Sequence, residues 1–146
     1  NTSNLPVESI EQEYPLRVEE YSFVEDSGGA GKYRGGMGLR RVLMPVDHEC
    51  VFNGAGERFR YQPWGLFGGL AGGSGRFTIW DADGERRLDD KPNEVEVVPG
   101  TRITVETPGA GGYGAPSERA AEALQIDQKS GKYSAAFIEQ HYSTRK

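Results

Sequence analysis

Cysteine is nearly absent from this chain. Cys50 stands alone, so no disulfide can form within it, which fits a reducing compartment. Histidine is almost as scarce, with only His48 and His141. Structural zinc sites mostly take four Cys or His ligands, so a complete metal site is not expected from this chain alone. His48 and Cys50 lie two apart, on one face of a strand, with no third ligand in sight. Positive charge is also in deficit. Seventeen Lys and Arg face 22 Asp and Glu, and the net charge of −5 argues against binding nucleic acid through its phosphates. No apolar run approaches the roughly 20 residues that span a bilayer, and Asn1 to Pro6 do not form a signal peptide. The expectation is therefore cytoplasmic, with no membrane partner. No nucleophile–base pair or paired carboxylates occur in a recognisable setting, so no catalytic residue is assigned.

Glycine is what the chain has in excess. Most of its 21 glycines lie in two stretches, Asp26 to Gly38 and Gln62 to Gly75. Glycine costs backbone entropy, so such density needs positive φ or the close approach of another backbone or a ligand. Tyr33, Trp64 and Phe67 are interleaved with the glycines, and Tyr113 sits in a third glycine-lined loop after Pro108. Large aromatics in rigid loops suit a contact with a partner. The expected interface is Tyr33, Trp64, Phe67 and Tyr113, with Trp64 as an anchor on a fixed turn. The competing expectation is an anion site at Lys32, Arg34, Arg58 and Arg60. Arg58 and Arg60 would share one face of an extended segment, with Phe59 and Tyr61 on the other. The glycine spacing is neither that of a P-loop nor that of a dinucleotide fingerprint. Packing of glycine turns against a sheet explains the first loop without any ligand.

The remaining pattern is mainly β. A brief helix is expected near Pro6 to Tyr14, then a strand from Arg17. Strands follow at Leu39–Met44 and Glu49–Asn53. Arg76 to Leu88 reads as a hairpin turning at Asp83-Gly84, and Glu94 to Thr107 as a second hairpin turning at Pro99-Gly100. From Ser117 strand signals stop. A helix capped by Ser117 and a shorter one capped by Ser134 make a helical hairpin, with Phe137 and Ile138 on the apolar side of the second. The fold class is mainly β: an antiparallel sandwich or barrel-like domain over 1–116, with Gly-rich loops, and a helical tail over 117–146.

Three motifs then carry a resemblance. Tyr14-Pro-Leu-Arg-Val-Glu with the run from Asp26 to Arg41, Pro63-Trp-Gly-Leu-Phe-Gly-Gly, and Glu106 to Arg119 are similar to the C-terminal part of hydantoinase B / 5-oxoprolinase proteins, in the same order. The sequence departs from that pattern at Ala115 and Thr101, where the family usually or often carries Asp. The resemblance implies a part of a multisubunit bacterial enzyme. Its partners would be larger hydantoinase A-like and hydantoinase B-like subunits, with ATP and Mg bound there and no cofactor in this chain. As a short chain it is most similar to the small subunit of the acetophenone carboxylases, ligases that join acetophenone and bicarbonate to give benzoylacetate. In that reading it is a structural piece that completes the hydantoinase B-like subunit. The alternative is a fragment of an ATP-dependent cyclic-amide hydrolase of the same family.

Overall fold

Alternating apolar positions build the centre of the molecule. In this computed structural model, which describes residues 4–143, strands β1 (Leu16–Phe23), β2 (Leu39–Pro45), β4 (Arg76–Asp81), β5 (Gly84–Arg87) and β7 (Arg102–Glu106) form one antiparallel sheet in the order β1-β2-β7-β4-β5. Strands β3 (Cys50–Phe52) and β6 (Val95–Val97) form a separate antiparallel pair. Phe77 sits opposite Val105 and Ile79 opposite Ile103, so one face of the large sheet is apolar. Cys50 opposite Val97 and Phe52 opposite Val95 do the same for the small sheet. These side chains meet in one core with Phe59 and Leu88. Burying each large apolar side chain contributes roughly 1.5–3 kcal/mol, so this layer supplies much of the stability. The domain bounds expected at residues 1 and 146 lie outside the described residues.

The other face of the large sheet is polar. Glu106 is buried between Arg40, at 2.6 Å, and Arg76, and its register neighbours on β2 and β4 are those two arginines. Donating a hydrogen bond to the Glu106 carboxylate holds the Arg40 guanidinium above its usual range.

The expected hairpin at Asp83-Gly84 forms as β4 and β5, with Gly84 at φ +104°. The expected second hairpin does not. Val98 and Thr101 do close a turn, with the Thr101 amide donating to the Val98 carbonyl at 3.0 Å, but β6 pairs with β3 and β7 with β2 and β4. The turn therefore passes the chain from one sheet to the other.

Among the described residues three α-helices complete the fold: α1 (Val7–Glu13), α2 (Ala121–Lys129) and α3 (Ala135–Tyr142). α3 starts as expected, with Ser134 Oγ accepting from the Phe137 amide at 3.1 Å. α2 starts later than Ser117. A 3-10 turn spans Pro116–Glu118, and Arg119 is extended at φ −72°, ψ 132° before the helix begins. That extension turns the Arg119 guanidinium inward, onto Asp127 Oδ2 at 2.5 Å and the Lys32 carbonyl at 3.0 Å.

Candidate functional site

The glycine loops pack on one another rather than on a sheet. The Gly29 amide donates to the Ala110 carbonyl, Leu70 to Ala30, Gly112 to Leu70 and Gly73 to Ser27, all within 2.7–2.9 Å. A Cβ on Gly112 would overlap the Ala30 carbonyl, and one on Gly35 that of Ala110. Only glycine lets main chains approach this closely. The expectation of close backbone approach holds, but the neighbour is another glycine loop. Loops 26–38, 62–75 and 107–115 thus form a slab joined by main-chain hydrogen bonds.

The slab sets out the aromatics. Tyr113 exchanges amide–carbonyl hydrogen bonds with Tyr33, at 2.9 and 3.0 Å. On its other side, Leu66 donates to the Gly112 carbonyl and accepts from the Gly114 amide, both at 2.9 Å. The Tyr113 ring lies 6.3 Å from that of Tyr33 and 5.0 Å from that of Phe67. Tyr33, Leu66, Phe67 and Tyr113 are all exposed. Phe67 is 76% exposed and its backbone is left-handed, at φ +51°. Gly68 follows at φ +90°, and the Gly69 amide closes the turn on the Leu66 carbonyl at 2.9 Å. A bulky residue in that conformation costs about 1–2 kcal/mol.

Trp64, the expected interface anchor, lies at the surface. It is 63% exposed, and the Arg58 guanidinium covers its ring at 4.6 Å. Among the described residues it makes no ring contact with Tyr33, Phe67 or Tyr113, so three of the four expected interface residues come together and Trp64 stands apart with Arg58.

The four candidate anion-binding cations do not converge. Lys32 pairs with Glu118 at 3.0 Å, and the hydrogen bond it donates to that carboxylate holds its ammonium above the usual range. Arg34 pairs with buried Asp127 at 2.9 Å and donates to the Gly35 carbonyl. Arg60 lies 3.6 Å from Asp90. Nor is the segment around Arg58 extended. Arg58 has φ +60°, Phe59 turns into the core and Tyr61 stays exposed. A depression of about 710 Å³ lies between Arg60, Arg87, Asp89, Asp90 and Lys91, where charges of both signs alternate. His48 Nδ1 contacts the Val46 carbonyl at 3.1 Å, and burial pushes the Cys50 thiol up. No group of three metal-ligating side chains occurs among the described residues, and no helix among them is long and apolar enough to cross a membrane.

The helical tail locks the slab from behind. Tyr133, 1% exposed, donates its hydroxyl to the Gly28 carbonyl at 2.8 Å. The Gly31 amide donates to the Tyr142 hydroxyl at 3.1 Å. Asp26 accepts from the Ser134 amide and hydroxyl, each at 2.7 Å. Asp127 holds Arg34 and Arg119 together. Leu66, Asp127, Tyr133 and Tyr142 were not singled out in the sequence. Leu66 alone had a signal, its place between Gly65 and Phe67.

Comparison with known proteins fits this architecture. The profile of the hydantoinase B/oxoprolinase family matches residues 1–116. The chain belongs to that family. It is 38% identical over 142 residues to an uncharacterised protein of Methanocaldococcus jannaschii, covering 97% of this chain and 25% of that one. It is 34% identical over 129 residues to the caprolactamase subunit beta of Pseudomonas jessenii, covering 86% and 22%. The crystal structure of that ATP-dependent caprolactamase superposes with a TM-score of 0.75 at 31% identity, over 94% of this chain and 24% of that one. A nucleotide-free acetone carboxylase has the same fold, with a TM-score of 0.75 at 22% identity over 94% and 22%. The chain thus spans a quarter or less of the length of these relatives.

Proposed function

We propose that this chain is an assembly module of an ATP-dependent hydantoinase-type enzyme, completing a hydantoinase B-like subunit and contributing no reacting group of its own. The observation that carries this is Phe67. A large apolar side chain is held out to solvent at a strained backbone position, beside two tyrosines, on a scaffold that glycine makes rigid. Exposed aromatics on a rigid base suit a protein contact, where they lose little entropy on docking. The absence of any convergence among Lys32, Arg34, Arg58 and Arg60 counts against an anion site here. Trp64, with Arg58 over it, serves as a flanking contact on the same interface.

For the whole enzyme, the first proposed reading is ATP-dependent carboxylation of acetophenone to benzoylacetate, with ATP and Mg on hydantoinase A-like and B-like partners in a bacterial cytoplasm; the three sequence motifs support the family that both readings share. The 34% identity to a caprolactamase subunit favours a second reading, opening of a cyclic amide. Purifying the complex from its source and measuring ATP hydrolysis separates them. Stimulation by acetophenone with bicarbonate, and not by caprolactam, hydantoin or 5-oxoproline, is the expected result. Stimulation by a cyclic amide alone replaces the first reading with the second.

A further inference from the structure

The small sheet covers only part of the large sheet's apolar face. Over β7 and β4 the core is closed. Beside β1, on which α1 packs, Leu39, Arg41 and Leu43 of β2 are only partly buried. Two depressions there, about 220 and 140 Å³, share Leu43 as a common wall. The first is lined by Tyr21, Leu39, Arg41 and Val105, and the second by Leu16, Cys50, Phe52 and Ile103. Register places them on one face, because Leu43 sits opposite Ile103 and Arg41 opposite Val105. Tyr21 and Phe23, on the terminal strand, are exposed.

Arg41 is the unusual member. Its guanidinium lies 4.6 Å from the centre of the Tyr21 ring. No carboxylate lies within ion-pair distance of it among the described residues, whereas neighbouring Arg40 meets both Glu106 and Glu20. Covering this groove with apolar groups alone would strip water from an unpaired cation, which is strongly unfavourable. Whatever covers it must bring a negative charge.

We propose that this groove seats the remaining body of a hydantoinase B-like subunit, through a segment that carries apolar side chains and a carboxylate for Arg41. The relatives name this occupant, for three quarters or more of their length lies outside the region this chain covers. Asn4 lines the groove beside Arg41 and donates to the Tyr21 hydroxyl at 3.1 Å. The inference rests on the reading that the chain works within a larger hydantoinase B-like body, but it uses a surface separate from the aromatic face.

Photo-crosslinking in the assembled enzyme tests it. Tyr21 is replaced by p-benzoylphenylalanine in one preparation and Phe67 in another, and the captured peptides are sequenced. At Tyr21 the expected capture is a hydantoinase B-like peptide containing Asp or Glu. Arg41→Glu should lower that yield by about tenfold, and Arg41→Lys much less, because opposed charges are replaced by like ones. Capture of a second copy of this chain, of the hydantoinase A-like subunit, or of nothing at Tyr21 overturns the proposal, as does an Arg41→Glu yield equal to that of the unaltered chain. Capture at Tyr21 without capture at Phe67 would sink the aromatic interface and leave this one standing.

Discussion

Gly35 and Gly36 are neighbours with opposite roles. A Cβ on Gly35 would overlap the Ala110 carbonyl, while one on Gly36 meets only the Ala110 Cβ, at 3.9 Å. Gly36→Ala should be neutral or stabilising by up to about 1 kcal/mol, through a less free unfolded chain. Gly35→Ala should cost about 3 kcal/mol or more, because rigid backbone cannot move aside. Urea unfolding of the two variants measures the contrast. Tyr133 gives a second residue-scale test. Burial pushes its hydroxyl well above the usual tyrosine range. The folded state therefore keeps a proton that the unfolded state loses above pH ~10, so the contribution is intact below that pH and falls by roughly 1.4 kcal/mol per unit above it. Unfolding measured from pH 9 to 11 should show that slope, and Tyr133→Phe should remove it. A slope unchanged in the variant would assign it to another group.

At the scale of elements, the joint between tail and slab is decided by Asp127. It is buried and holds two arginines, Arg119 nearly buried and Arg34 mostly so. Asp127→Ala should destabilise the chain by about 3–5 kcal/mol by leaving both charges unpaired. Ser134→Ala should cost about 1 kcal/mol through the lost helix cap, and more if the bond to Asp26 counts. Hydrogen exchange should show faster opening of Ala121–Tyr142 in both variants, with the strands less affected. Uniform loss of protection would mean that tail and sheets open as one unit. These elements were partly legible in the sequence. Strand positions, the Asp83-Gly84 hairpin and the Ser134 cap follow from local chemistry. The pairing of β6 with β3 does not, because alternation records which face is buried but not which strand lies alongside. Ser117 has a good capping side chain, yet Arg119 must be extended to reach Asp127, and that tertiary bond overrides the local signal. Phe59 and Tyr61 read as one face of an extended segment because the left-handed turn at Arg58 has no glycine to announce it. The aromatic face was visible as three residues among glycines. What the sequence could not show was that the loops supporting them bond to one another.

For the whole molecule, the proposed function puts assembly on exposed aromatics and catalysis elsewhere. Phe67→Gly separates the two most directly. It removes the ring and relieves the left-handed strain, which is worth about 1 kcal/mol or more. Sedimentation of the altered chain with its larger subunits should show association weakened at least about thirtyfold, as for a central aromatic contact. Stability of the chain should not fall, and turnover per assembled complex should be unchanged. Intact assembly with lost turnover would contradict the account and would put Phe67, Tyr33 and Tyr113 in the wall of a reaction chamber.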